Sequence, residues 1–311
     1  PDCDDELATL TDWADANDVP VHTVSVGDDV DPVYTPDTEY LGVTLGGDGT
    51  FLEGVRQFSP REIPMLGVNA GTLAFLASIA PEELPAALDE VIRGQADVDE
   101  RQQLHVEAPG VDSTGINDVM IEPEPPENPH DRKIARLQVF TDGEYVGEYE
   151  GSGVAVATPT GSTGVSLSAN GPVHYPKNNR SLQVVPLHTH QLGVRPLVVD
   201  ADTDVEIVSG ATASLLVDGG RVHTQLDPDD VVTVTGADTA ALMVNTSYDD
   251  DFLTSVAEKL GWGIREDRHD TGNHDLIAAG SSTGAGEDSF LEHARQVAEE
   301  AARAAGQPLT E

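Results

Sequence analysis

Residues Leu41-Gly42-Val43-Thr44-Leu45-Gly46-Gly47-Asp48-Gly49-Thr50-Phe51 read LGVTLGGDGTF. An apolar run meets three glycines set around one carboxylate, and the residues from Phe51 on, FLEGVRQF, return apolar side chains at helical spacing. A buried strand turning through glycine into a helix is one step of a parallel α/β sheet. The glycines permit positive φ and a close backbone approach to a ligand, and the N–H groups at the helix start favour an anion. No lysine accompanies the loop. Asp48 would repel a phosphate unless a cation bridges the two or the carboxylate takes a proton, and both roles belong to phosphoryl transfer. The plain alternative is a tight turn in which Asp48 caps the helix.

Outward from this loop, residues 1–98 read as alternating helices and strands. TDWADAND fits the end of a helix, VPVHTVSV predicts a strand, IPMLGVN another, and PEELPAALDEVIRG a helix ending at Gly94. The chain reads as starting inside its first unit, because no strand precedes the opening helix. From about residue 100 the texture changes. RQQLHVEA, INDVMIE, KIARLQVF, GVAVAT, LQVVPL, DVEIVS, ASLLVD, VVTVTG and AALMVN are short β-branched runs separated by Gly, Pro and Asp, which predicts a β-rich domain over 99–265. FLTSVAEKLGW predicts a closing helix whose segment returns to the first domain. HDTGNHDLIAAGSSTGAGED reads as a flexible linker and FLEHARQVAEEAARAAG as a tail helix, together occupying 266–311.

The charge balance narrows the function classes. Asp and Glu number 56 against 16 Lys and Arg in 311 residues, a formal charge of −40, and the lysines are Lys133, Lys177 and Lys259 alone. The acid is spread along the chain, which points to a halophile's cytoplasm as the working medium. Nucleic-acid binding through basic patches is disfavoured. No run of ~18 apolar residues suggests a membrane span, and the opening residues lack a signal pattern. Cys3 stands alone, which excludes an internal disulfide and a multi-cysteine metal site. Neither GxxxxGK[ST] nor GxGxxG occurs.

Further clusters sit beside the strands. Asn69-Ala70-Gly71-Thr72-Leu73-Ala74-Phe75 follows the second apolar strand, so its loop faces the same crevice as Gly46–Thr50. Asn69 there either bonds a ligand or makes a turn, and Phe75 either leans its ring on a base or packs in the core. Asn117-Asp118 opens a strand, where an amide beside a carboxylate suits ribose hydroxyls or a base edge; a plain turn is the alternative. Thr158 to Ser168, TPTGSTGVSLS, gathers neutral hydroxyl donors and two glycines between strands of the β domain. His188 and His190 lack a third metal ligand, Arg195 reads as paired with a carboxylate, and Asp142-Gly143 and Asp218-Gly219-Gly220 read as hairpin turns.

Taken in order, GGDGT, NAGTLAFL, IND, TPTGSTGVSLSANGP, HQLGVRPLVV and VDG resemble the motif series of the NAD kinase family over residues 40–262, with TPTGST the most specific part. The resemblance implies a doubly wound α/β N-terminal domain, a C-terminal β-sandwich domain and a nucleotide site in the cleft between them. It also implies transfer of a phosphoryl group from ATP or polyphosphate, with Mg²⁺ or another divalent cation, to the 2′-hydroxyl of the adenosine ribose of NAD. No tightly bound organic cofactor is implied, no protein residue is assigned as a metal ligand, and a homo-oligomer is expected. Position by position, Asp48 becomes the proton acceptor. Gly46, Gly47, Gly49 and Thr50 form the phosphate side, and Asp48, Gly49, Phe75, Asn117, Asp118, Lys133, Ser152, Thr160, Thr163, Gly164, Val165, Ser166, Leu167 and Ser168 hold NAD. The chain departs from the usual pattern at Ser152, where an acid is usual, at Val165, where a tyrosine is, and at Glu53, Ala74 and Gly220. GGDGT also occurs in lipid kinases, so a kinase of another small alcohol is one competing reading and a non-catalytic NAD(P)-binding protein is the other.

Overall fold

The computed structural model describes residues 3–261 apart from 29, 31–33, 36–37, 72–73 and 125–134. The expected linker and tail helix, and Lys133, lie outside the described residues.

The parallel step forms as expected. Strand β1 (Gly42–Gly46) pairs in parallel with β2 (Met65–Asn69), Gly42 opposite Met65 and Gly46 opposite Asn69. Alternation then assigns the two faces. On one, helix α2 (Asp48–Phe58) packs Phe51, Leu52 and Val55 against Met65 and Met243. Glycine is required at this contact, because a Cβ on Gly67 would stand 2.7 Å from the Phe51 ring. On the other face Leu66 and Val68 meet Leu84, Ala87 and Leu88 of α3 (Leu84–Ile92), with Leu10 and Trp13 of α1 (Asp4–Ala16) beside them. Helices on both faces make the doubly wound arrangement.

VPVHTVSV is not a strand. Residues 19–25 are irregular, with Val19, Val21 and Val26 exposed. Pro20 removes a ladder donor, and no described strand lies along that side of β1.

The β region is a sandwich. One sheet joins β3 (Asp97–Ala108), β4 (Val111–Gly115), β6 (Ala135–Thr141), β7 (Glu144–Gly151), β11 (Val205–Ser209) and β14 (Val231–Asn245) to β1 and β2. The other runs β10 (Leu197–Asp200), β9 (Ser181–Leu187), β8 (Gly153–Ala157), β5 (Asp118–Pro123), β12 (Ala213–Val217), β13 (Val222–Leu226). Leu104, Val139 and Ile207 of the first sheet interdigitate with Ile121, Val156 and Leu215 of the second. The runs VVTVTG and AALMVN are one strand, β14, not two. A register shift between Gly236 and Ala240 absorbs the polar interruption, and Gly236 donates its N–H to the Ala201 carbonyl at 2.6 Å where a Cβ would collide with Ala201. The far end of β14 pairs in parallel with β2 at Met243 and Met65, so one sheet is continuous from sandwich to α/β region. Helix α5 (Phe252–Leu260) follows it. No helix among the described residues is long and apolar enough to cross a membrane.

Candidate active site

The Gly46–Thr50 loop is shaped by contacts that glycine alone permits. Gly46 has φ +154°, and a Cβ on it would fall 2.4 Å from Thr50 Oγ1. The N–H groups of Thr50 and Phe51 both close on the Gly47 carbonyl, at 3.0 and 3.1 Å, which starts α2 immediately after Gly47. Asp48 is therefore the first helical residue, and its carboxylate faces the loop after β2. Oδ2 accepts the N–H of Phe75 at 3.0 Å, while Oδ1 accepts Leu76 at 2.9 Å and Ala77 at 3.4 Å. The Phe75 N–H is shared with Oδ1 at 3.1 Å, so Oδ1 is filled, and with two acceptor positions on each carboxylate oxygen the room for a hydroxyl is at Oδ2. The same loop is held from behind by α5: Lys259 Nζ donates to the Ala74 carbonyl and lies 5.0 Å over the Phe75 ring. A cavity of about 280 Å³ opens beside Phe75 and Leu76 and is lined further by Arg101, Lys177 and Phe252. It meets the candidate residues only at Phe75; the others lie at the junction of the loops, outside this cavity.

Register assembles the other side. Asp118 pairs with Ala157 between β5 and β8, and Val119 pairs with Val217 between β5 and β12. The segment Gly115–Asn117, the segment after Ala157 and the β12–β13 hairpin therefore share one end of the sheet. Asp218 organises them. Its carboxylate accepts the N–H groups of Ile116 at 3.0 Å, Asn117 at 2.8 Å and Asp118 at 3.2 Å, and its own N–H donates to the Asp118 carbonyl at 2.9 Å. Thr158 donates its N–H to the Asn117 carbonyl at 2.9 Å and its hydroxyl to the Ile116 carbonyl. Gly161 packs so closely that a Cβ would lie 2.0 Å from the Asn117 oxygen. Ile116 packs in turn with Phe51, Leu52 and Leu76, which brings this loop cluster onto α2.

Charge at the junction is unusual. Asp118 is 5% exposed and its carboxyl makes no hydrogen bond to a described residue; burial, and then Asp218 beside it, push its pKa up to about 7. Burial raises Asp218 as well, against the three N–H groups that favour its ionised form. Thr160 Oγ1 and Ser166 Oγ are buried without a hydrogen-bond partner among the described residues. Arg221 ties the two sides together: Nη1 donates to the Asp218 carbonyl at 2.5 Å and Nη2 to the Gly49 carbonyl at 2.7 Å.

The comparisons with known proteins fall on these same elements. The model of the ATP-NAD kinase N-terminal domain matches residues 39–96, and that of the ATP-NAD kinase C-terminal domain matches 116–246. The chain is 34% identical over 233 residues to the NAD kinase of Pseudomonas paraeruginosa, covering 72% of this chain and 77% of that one. The chain belongs to the NAD kinase family. It is thus a phosphotransferase acting on an alcohol group, an NAD kinase in function, and the readings as another small-alcohol kinase or a non-catalytic binder are not favoured. Among solved structures, a yeast NADH kinase complexed with NADH matches at TM-score 0.65 and 29% identity, over 74% of this chain and 68% of that one. An NAD kinase from Archaeoglobus fulgidus in complex with ATP matches at TM-score 0.65 and 22% identity, over 78% of this chain and 90% of that one, and shows the shared fold.

Within this NAD kinase fold the structure gathers most of the residues singled out from sequence. Gly46, Gly47, Asp48, Gly49 and Thr50 line one side with Phe75, and Asn117, Asp118, Thr160, Thr163 and Gly164 line the other. Val165, Ser166, Leu167 and Ser168 form a single helical turn, α4, directly after Gly164. A Cβ on Gly164 would lie 3.5 Å from Asp118 Oδ2, so this carboxyl points at the turn. Ser152 is not gathered within the chain: it is exposed at the opposite end of β8, roughly 20 Å of extended strand from Thr158. Arg195 forms no carboxylate pair with a described residue; it donates to the carbonyls of Leu192 and Val194 at 3.0 and 2.8 Å. Two residues were missed as site elements. Asp218 reads from sequence as a hairpin residue, and the three successive positive φ values of Asp218, Gly219 and Gly220 are what fix its carboxylate. Arg221 carries no local signal at all.

Proposed function

We propose that the chain phosphorylates the 2′-hydroxyl of the adenosine ribose of NAD, with ATP or polyphosphate as donor, and that Asp48 accepts the proton. The observation that carries this reading is the seating of Asp48 at the start of α2, its carboxylate held by the amides of Phe75 and Leu76 with acceptor capacity to spare. O2′ forms a bond to the terminal phosphorus as the bridging P–O bond breaks, and the hydroxyl proton passes to Asp48. The Gly46, Gly47, Gly49 and Thr50 backbone with the α2 N-terminus receives the donor's phosphates. Asn117, Asp118 and the Thr160–Ser168 segment, with the unpartnered hydroxyls of Thr160 and Ser166, receive the adenosine half of NAD. The bound ligands of the yeast and Archaeoglobus relatives support NAD and ATP as the two substrates.

Mg²⁺ or another divalent cation carried on the donor would neutralise phosphate charge. The residues present fit such an ion: the junction offers single carboxylates such as Asp48, which suits Mg²⁺ held mainly by phosphate and water. Among the described residues the one group of three ligating side chains within reach of one another is His105, Glu107 and Asp112, on the exposed β3–β4 hairpin.

A halophilic cytoplasm as the working medium follows from the charge of −40, and homo-oligomer formation follows from the resemblance. The division at 1–98, 99–265 and 266–311 is kept on the same footing. The deciding experiment is an NADP-formation assay in molar KCl with Mg²⁺, comparing ATP with polyphosphate. No NADP from either donor would end this reading.

A further inference from the structure

We propose that Arg221 is the side chain that binds a phosphate group of the phosphoryl donor at the Gly46–Thr50 loop, taking the place of the lysine that the loop lacks. The inference rests on the reading of that loop as the donor's phosphate side.

Arg221 is the one cationic side chain that hydrogen-bonds to residues 46–50 among the described residues. Its guanidinium has five N–H donors in a planar fork. Two are spent on main-chain carbonyls, Asp218 on one side and Gly49 on the other, and these fix the plane of the fork. The other three have no hydrogen-bond partner among the described residues. Arg221 makes no ion pair within 4.0 Å of a described carboxylate, whereas Arg56, Arg93, Arg101, Arg136 and Arg180 each pair with an acid. The Arg221 charge acts on the buried Asp218 carboxyl, lowering that group's pKa, but its direct hydrogen bonds go to neutral carbonyls, so three N–H groups stay available to a ligand. A planar fork with free N–H groups suits the oxygens of a phosphate.

Position supports the same ligand. Gly49 lies in the first turn of α2, and a Cβ there would stand 3.3 Å from Nη2, so glycine admits the guanidinium beside the helix N-terminus. The Asp48 and Gly49 amides, which open that turn ahead of the bonded Thr50 and Phe51 N–H groups, adjoin the guanidinium, an arrangement that favours an anion. Asp48 is the residue before Gly49, so a phosphate held at this corner adjoins the proton acceptor.

The test is steady-state kinetics of Arg221→Gln and Arg221→Lys, with ATP and NAD varied separately at saturating Mg²⁺ and molar KCl. Gln keeps amide donors for the carbonyls but removes the charge; Lys keeps charge without the fork. The expected result for Arg221→Gln is a KM for ATP raised roughly 10- to 100-fold, the loss of a charge-assisted bond, with the KM for NAD changed less than about twofold, and partial recovery in Arg221→Lys. Equal rises in both KM values would assign Arg221 to structural bridging, and a rise in the NAD KM alone would assign it to the acceptor's pyrophosphate; either overturns the proposal. An unchanged ATP KM would overturn it too. The wild-type enzyme run alongside keeps the outcomes separate, since its failure to form NADP would remove the functional reading itself.

Discussion

The Asp218 carboxylate accepts the Asn117 N–H at 2.8 Å, joining a hairpin turn to a strand start 101 residues earlier in the chain. The same carboxylate also takes the amides of Ile116 and Asp118 while only 7% exposed. One side chain thus fixes the loop that carries the proposed ribose contacts. Replacing it leaves three inward-facing N–H groups without an acceptor, each costing about 1–3 kcal/mol if nothing substitutes. Asp218→Ala is expected to lower unfolding free energy by roughly 3 kcal/mol, read by denaturant titration in high salt. A loss within experimental scatter would mean the loop does not depend on this residue.

Asp118 gives the enzyme a titration near neutrality. Its pKa rises from the ordinary 3.8 to about 7, first through burial and then through Asp218. Below that value the carboxyl is neutral; above it, the ionised group is a stronger acceptor for ribose hydroxyls. The KM for NAD should therefore fall between about pH 6 and 8, and Asp118→Asn should flatten that dependence. Stability follows the opposite direction. The folded state holds the proton that the unfolded chain releases near pH 4, so the contribution of this group to stability is lost as pH rises from about 4 through 7. A wild-type KM independent of pH across the range would count against the assigned environment.

Salt should govern stability. With −40 formal charges spread over the chain, self-repulsion acts over about 10 Å in ~0.1 M salt and about 3 Å in ~1 M. The melting temperature is expected to climb steadily over that range of KCl. A melting temperature highest in dilute buffer would refute the halophilic assignment.

The sequence made the local devices legible. Glycine at 46 and 49 around Asp48, flanked by an apolar strand and a helical repeat, can be read within eleven residues because strand, turn and helix start are all local choices. TPTGST could be placed inside the β domain for the same reason. The failures are long-range. VPVHTVSV alternates like a strand but has no described neighbour along β1, and alternation alone cannot supply a partner. Gly236 and Asp238 divide VVTVTG from AALMVN in the sequence, yet pairing with β3 on both sides of the interruption keeps β14 continuous across a bulge. Asp218 reads as a hairpin residue because nothing near it announces the three amides it receives. Arg221 reaches Gly49 across 172 residues, a contact that only the packed fold creates.

The most direct test of the account is NADP formation by Asp48→Asn beside the wild-type enzyme, in molar KCl with Mg²⁺ and ATP. Asparagine keeps an acceptor for the Phe75 and Leu76 amides but is a far weaker base. The expected result is a kcat lower by roughly 10²–10⁴-fold with calorimetric binding of NAD intact. Near-wild-type turnover by Asp48→Asn would contradict it.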